Sequence, residues 1–467
     1  MRREHLQFRY QIALSALILV LLGLIVQTGC TRSQPSSSVQ RQEPTSILFE
    51  KVRIFNGTSD QLSDLSNVLV VGNKIEKISQ TPIATASGIK LTRIDGNSRT
   101  LMPGLIDNHV HLFTITSTSD ELLSPNVRPE VMNQKVQAAA EQMLLRGFTS
   151  VRDLAGPVFD LKRAIDAGDA VGPRIYPSGA MISQTSGHGD YRTPESLVWT
   201  PYTTLNHPEY QGNGVVADGV DEVLRRTREQ LMQGATQIKL AAGGGVSSNN
   251  DPLDVSQYTE AELRAAVEAA EDWNTYVTVH AYTPRAIQKA IRAGVKCIEH
   301  GQLMDEATAK IMAEKGIWLS MQPFLDDEDA IPFPEGSANR AKQLEVVRGT
   351  DSAYALAKKY NLKTAWGTDL SFDAKLATRQ GAQLTKMVRW YTPTEVLKMA
   401  TSTNAELLAL SGPRNPYPGK LGVVEEGALA DLLLVDGDLL KNIKLIENPD
   451  KNFVVIMKNG KMYKNLL

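Results

Sequence analysis

The chain is poor in cysteine: of its 467 residues, only Cys30 and Cys297 carry a thiol. That excludes a small domain held by a disulfide framework, so the fold must rest on a buried core, for which this length is ample. Net charge is also scarce. The formal balance is −2 and no run of Lys and Arg stands out, which leaves no electrostatic case for nucleic acid or an acidic membrane surface as partner. Nucleotide signatures are missing. No Gly-x-Gly-x-x-Gly follows the first strand-like run of the middle region, and Gly243-Gly244-Gly245 is not followed by the Gly-Lys-Ser/Thr of a phosphate loop. No repeat of solenoid length is visible. What remains, 42% apolar and 22% charged residues, is the composition of an ordinary globular enzyme.

The amino terminus differs in kind. Arg2, Arg3 and Arg9 precede an apolar run from Ile12 to Val26, then Gln27-Thr28-Gly29-Cys30. The run is short of the roughly 20 residues a spanning helix needs but suits a signal-peptide core. Its ending resembles the lipobox of bacterial lipoproteins, with Gln27 where Leu is usual. Residues 1–30 are therefore expected to be a signal peptide, and the chain to be exported to the bacterial cell envelope and anchored to the membrane by lipid on Cys30. Residues 31–46, Ser-rich and without periodicity, read as a disordered tether. Cys297 reads as a buried small hydrophobe.

Short β-type runs punctuated by Asn56-Gly57, Gly72-Asn73 and Asp95-Gly96 occupy 47–100, and a similar pattern returns over 413–467. Between them, strand-like and helix-like segments alternate. Strands are expected at 101–111, 149–154, 174–182, 237–241, 276–280, 297–300, 318–322 and 364–367. Helices are expected at 130–146, 221–232, 260–273, 284–293 and 305–315, several stopped by a glycine such as Gly234 or Gly294. This alternation predicts an α/β fold: a (β/α)8 TIM barrel over 101–412. The flanking ends suggest a small composite β-sandwich domain built from both ends of the chain.

Polar residues sit at the ends of these apolar strands. His109 and His111, two apart in Pro103-Gly-Leu-Ile-Asp-Asn-His-Val-His111, share one strand face. Lys239 lies in strand 4, His280 ends strand 5, His300 ends strand 6 and Asp369 follows strand 8. Taken singly, His280 or His300 reads as a core histidine, Asp369 as a helix cap and Lys239 as half of an ion pair. In a barrel, however, strand carboxyl ends converge on one mouth, and four imidazoles with a carboxylate make a credible Zn²⁺ site. An ammonium beside two dications is repelled, but a deprotonated lysine can take up carbon dioxide, giving a carbamate long enough to bridge two metals.

Together with Val279-His280-Ala281-Tyr282, Ile298-Glu299-His300-Gly301 and Gly367-Thr368-Asp369, this set resembles the amidohydrolase superfamily, specifically its imidazolonepropionase-like Xaa-Pro (Xaa-Arg) dipeptidase branch, over about 47–467. The resemblance implies two divalent ions, Zn²⁺ by default. His109, His111 and Asp369 would take one, His280 and His300 the other, with carbamylated Lys239 as the bridge. It also implies hydrolysis of a peptide or amide C–N bond by metal-activated water, with Asp369 as general base and then acid.

The long connection from Gln184 to Ala217 carries His188, Tyr191, Arg192 and His207, and a loop of that length is usually functional or mobile. By position, His188 matches a family histidine that contacts the substrate carbonyl, and Tyr282 a tyrosine that contacts its carboxylate. Tyr191 and Arg192 are further substrate-binding candidates, Arg192 as a carboxylate clamp; His207 reads as a surface loop residue. The expected substrate is a dipeptide or N-acyl amino acid, and a bulky amide such as ochratoxin stays open. So do a cyclic-amide hydrolase or deaminase, an inactive barrel lipoprotein, and assembly into a homo-oligomer.

Overall fold

The computed structural model describes residues 46–84, 90–124, 126–192, 209 and 211–467. The expected signal peptide, Cys30, residues 31–45 of the expected tether and His207 lie outside the described residues, Ser46 already begins the first strand, and no helix among the described residues is long and apolar enough to cross a membrane.

The amino-terminal strands are β1 (Ser46–Ile54), β2 (Ser66–Val71), β3 (Lys74–Ser79), β4 (Leu91–Asp95) and β5 (Thr100–Pro103). The middle carries β6 (Leu105–Val110), β7 (Phe148–Asp153), β8 (Arg174–Pro177), β9 (Met181–Ser183), β10 (Gly214–Val216), β11 (Ile238–Ala241), β12 (Val277–Ala281), β13 (Cys297–His300), β14 (Trp318–Met321) and β15 (Thr364–Trp366). At the carboxyl end are β16 (Leu432–Val435), β17 (Phe453–Lys458) and β18 (Lys461–Asn465). Both ends of the chain share one sheet, ordered β18-β17-β16-β5-β1-β2-β3 with β4 beside β1. Antiparallel β5 and β16 join them, with Leu101 opposite Leu434. Phe49, Val68 and Leu101 from one end pack in one core with Leu434 and Val455 from the other. On β2 burial alternates residue by residue, as expected of a sheet with one wet face.

The middle strands are buried on both faces and pair in parallel, in the orders β10-β9-β11-β12-β13-β14-β15 and β6-β7-β8. Helices Pro129–Leu145, Phe159–Ala167, Val220–Gln233, Glu260–Asp272, Pro284–Ala293, Glu306–Lys315 and Ala338–Lys359 alternate with them. Gly234, Gly294 and Gly316 end three of these in the left-handed conformation, which glycine adopts without steric cost.

Two expected strands are each divided in two. At Gly104 the backbone changes partners: its N–H donates to Asp431 in the terminal sheet, whereas that of Leu105 donates to Gly147. A Cβ at Gly104 would come within 2.1 Å of Thr149, so the switch requires glycine. The run 174–182 breaks between β8 and β9, and His111 falls just past the end of β6. Side chains suture the edges of the two parallel sheets. Between β6 and β15, the Asn404 amide donates to Ile106 O (2.7 Å) and Trp366 O (2.8 Å) and accepts from Trp366 N (3.0 Å). Between β8 and β11, Gln237 donates to Tyr176 O at 2.9 Å.

Candidate metal centre and active site

A cavity of about 1080 Å³, open mouth included, takes in His109, His111, Lys239, His280, His300 and Asp369. They come from five strands or the turns after them, His109 and His111 both from β6, so residues up to 260 positions apart meet at one place. His109 Nε2 lies 3.3 Å and His111 Nε2 3.0 Å from Asp369 Oδ1, and the two Nε2 atoms are 3.2 Å apart. The His300 ring is 5.0 Å from that of His109 and 4.4 Å from that of His280. His109, His300 and Asp369 form a group able to hold a metal ion, their ligand atoms all within 4.8 Å of one another. His300 and Asp369 both have positive φ, 80° and 54°. For non-glycine residues this is strained backbone, sustained only by surroundings that over-determine it.

The hydrogen bonds behind the imidazoles decide which nitrogen each offers. Glu299 Oε2 takes the Nδ1 of His109 at 2.8 Å, and Gln322 Oε1 that of His300 at 2.7 Å. A carboxylate and an amide oxygen only accept, so both rings carry the proton on Nδ1 and keep a lone pair on Nε2. His280 is the reverse: its Nε2 donates to Gly244 O at 3.1 Å, leaving the Nδ1 lone pair. Such bonds fix tautomer and ring orientation in the way metal ligands require. By this chemistry, the donor set fits divalent ions.

Glu299 is itself held. Fully buried, it pairs with Arg152 at 2.7 Å and accepts from Thr278, while Arg152 also reaches Asn108 O (2.7 Å), Tyr276 (3.1 Å) and Ser320 (3.1 Å). Burial opposes the Glu299 charge, but Arg152 and His109 outweigh it and keep the carboxyl well below its usual range. Asp369 is likewise opposed by burial and carried well below by His109, His111 and His300. Burial pushes the Lys239 amine down to about 8. The carboxylates of Glu299 and Asp369 attract its charged form, and Arg152 opposes it.

His188 also lines the cavity, its ring stacked 4.0 Å from that of His280, with Nδ1 2.8 Å from Ser248 Oγ. Burial lowers it to about 4, so it is neutral at pH 7. Tyr191 and Tyr282 line the same space. Arg192 is placed elsewhere. Its guanidinium forms a two-pronged pair with Asp190 (2.8 and 2.7 Å) and is not among the cavity's lining residues; the acidic neighbour two residues away already takes the donors a substrate carboxylate would need. Sequence reasoning passed over Glu299, Arg152, Gln322 and Asp107. Asp107 accepts from Thr368 N (3.0 Å), Thr368 Oγ1 (2.8 Å) and Gln380 (2.8 Å), anchoring the segment that carries Asp369. The one available signal was a charged residue inside an otherwise apolar strand, present in Ile106-Asp107, Val151-Arg152 and Ile298-Glu299.

Residues 100–463 match the amidohydrolase family. An ochratoxinase of Aspergillus niger is 34% identical over 377 residues, 78% of this chain and 75% of that one. Among solved structures, a prolidase complexed with N-methylphosphonate-L-proline is 32% identical with a TM-score of 0.81, over 90% of this chain and 100% of that chain. A Xaa-Pro dipeptidase with methionine in its active site is 29% identical with a TM-score of 0.76, over 90% and 100%. These likenesses go with a TIM-barrel-like α/β fold.

Proposed function

The chain belongs to the amidohydrolase family, and from that premise we propose that it is a metal-dependent hydrolase cleaving the amide bond of a dipeptide or N-acyl amino acid. The observation that carries the reading is the convergence of four imidazoles, Asp369 and a lysine of lowered pKa on one cavity. The similarity to an ochratoxinase, a prolidase and a Xaa-Pro dipeptidase supports it. His109, His111 and Asp369 would hold one ion and His280 and His300 a second, with Lys239 as a carbamate between them. With its amine lowered to about 8, roughly a tenth of Lys239 is neutral at pH 7, the form that takes up carbon dioxide. The chemistry such ions, Zn²⁺ by default, would supply is polarisation of the scissile carbonyl and a lowering of a water's pKa from about 15.7 toward roughly 7.

The remaining steps belong to the chain. Asp369, ionised and beside His109 and His111, takes the proton of the attacking water and returns it to the departing amine nitrogen. Neutral His188, held through Nδ1 by Ser248 Oγ at 2.8 Å, presents its other ring edge to the cavity, where it would contact the substrate carbonyl. The Tyr282 and Tyr191 hydroxyls orient the substrate's polar end. Lys239 in the cavity wall supports this two-ion reading over a single-ion deamination.

Three further readings belong with this one. The sutures at Asn404 and Gln237 close the parallel strands into an eight-position barrel. The paired chain ends form a composite β-sandwich. Export and lipid anchoring at Cys30 rest on the sequence before residue 46. A screen of dipeptides and N-acyl amino acids for release of free amine, with and without a chelator, tests the function. Chelator-sensitive release from at least one class is expected; no release from any, by protein loaded with Zn²⁺, would overturn it.

A further inference from the structure

Behind the histidines stands a second arrangement that the proposed reaction does not use directly. The loop after β11 runs over Gly243–Asp251 and touches both His280 and His188. Gly244 O accepts from His280 Nε2 at 3.1 Å, and Ser248 Oγ lies 2.8 Å from His188 Nδ1. The loop is packed tightly enough that a Cβ at Gly245 would fall 1.9 Å from His188 Nδ1, and one at Gly244 1.8 Å from Pro252 O. Its carbonyls turn inward onto one cation. Lys342 Nζ, from helix Ala338–Lys359, donates to Gly245 O (3.0 Å), Ser248 O (2.9 Å) and Asp251 O (2.8 Å), using all three of its protons. Asp251 Oδ1, buried and without a hydrogen bond, lies 3.9 Å from the same ammonium. The other oxygen of Asp251 accepts from Gly245 N at 2.8 Å. From the same helix, Asn339 donates to Val246 O at 2.7 Å. No other element supplies a cation to this ring of carbonyls among the described residues.

We propose that Lys342 is a positioning residue. By gathering three carbonyls of the loop, it sets Gly244 O to fix the His280 tautomer for metal binding and Ser248 to orient His188 toward substrate. The proposal rests on the amide-hydrolase reading above. Without the ammonium, Asp251 O and Asp251 Oδ1 lose their cation, and Gly245 O and Ser248 O keep only a long bond of 3.3 Å each, from Ser248 Oγ and Asn339. The loop must then open, and both histidines lose the partner that orients them. Outer-shell partners of metal ligands are typically worth 10- to 100-fold in metal affinity or activity, and that range is expected here. A small alkylammonium ion offers the same three donors and the same charge, so it can refill the gap that truncation leaves.

The test compares full-length wild type with Lys342→Ala by three readouts. Hydrogen exchange needs neither metal nor substrate. Amides of residues 244–251 should lose protection in the variant, while those of helix Ala338–Lys359 keep it. Zinc titration should give 10- to 100-fold weaker binding. Methylammonium or n-propylammonium at millimolar concentration should restore both readouts, and kcat with them, in a saturable way that a merely destabilised fold would not show. Unchanged loop protection or unchanged zinc affinity would overturn the proposal, as would losses that no alkylammonium ion reverses. If Lys342→Ala does not fold, Lys342→Gln carries the same exchange and zinc measurements, and wild-type values there refute it. A wild type that binds no metal would sink the hydrolase reading while leaving the exchange result to judge Lys342.

Discussion

Replacing Glu299 by Gln removes one charge from a fully buried position. The carboxylate is fully buried between Arg152, at 2.7 Å, and His109 Nδ1, at 2.8 Å. Two separate losses follow. Arg152, with no exposed surface, is left without its counter-ion, and breaking a buried pair from one side costs about 3–5 kcal/mol of folding stability. The amide keeps a single acceptor oxygen, so with that oxygen on Arg152 its NH2 faces His109 Nδ1 and no longer holds the proton there, which should weaken metal binding by about 10- to 100-fold, equivalent to about 1.4–2.8 kcal/mol. The folding term is the larger, so it should be read first, by urea denaturation of metal-free protein. Zinc titration of the folded variant then reads the second. Arg152→Met should cost a similar amount alone, leaving Glu299 unpaired. The double variant should be less destabilised than the sum of the two, because no lone charge remains. A Glu299→Gln protein within 1 kcal/mol of wild type and within twofold in zinc affinity would refute the reasoning, as would strict additivity with Arg152→Met.

Three other predictions test different links. His188, held to about 4 by burial against roughly 6.5 when unfolded, binds no proton in the folded state between those values while the unfolded chain does. Its contribution is intact above pH 6.5 and lost as pH falls toward 4, by about 3 kcal/mol in all; His188→Gln should flatten the acid limb of metal-free stability, and an unchanged limb contradicts the assignment. Asn404→Ala strands Ile106 O, Trp366 O and Trp366 N at the seam between β6 and β15. At about 1–3 kcal/mol for each unsatisfied group, a loss of about 3 kcal/mol or more is expected on urea unfolding, and a loss under 1 would mean the seam closes by other contacts. For the amino terminus, Cys30→Ala should move the expressed protein from the membrane to the soluble fraction and abolish fatty-acid labelling; retained labelling would remove lipid anchoring at Cys30.

What the sequence made legible was set by local rules. Glycine stops placed the helix ends at Gly234, Gly294 and Gly316. Apolar runs placed the parallel strands, since burial on both faces leaves no alternation to misread. The candidate ligands stood out because His280 and His300 close apolar runs and Asp369 follows one. The supports of those ligands did not stand out. Glu299 and Arg152 meet only through the fold, 147 positions apart, and a charged residue in a strand has no local mark separating a buried partner from an error of register. The change of sheet at Gly104 depends on Thr149 lying beneath it, and Asn404 joins β15 to β6, a strand 298 positions before it. Arg192 shows the converse failure: a residue of the right type in the right loop is taken up by Asp190, and type and loop position alone do not reveal that pairing.

The central claim is that six side chains far apart in the chain grip a pair of cations, with Lys239 between them. Metal content by mass spectrometry of purified wild type and Lys239→Ala, measured beside their rates on a cleaved substrate, tests it most directly. Two equivalents per chain in the active wild type, falling to one or fewer with loss of hydrolysis in the variant, is the predicted result. An active wild type with fewer than two, or a Lys239→Ala protein with two ions and an undiminished rate, would contradict it.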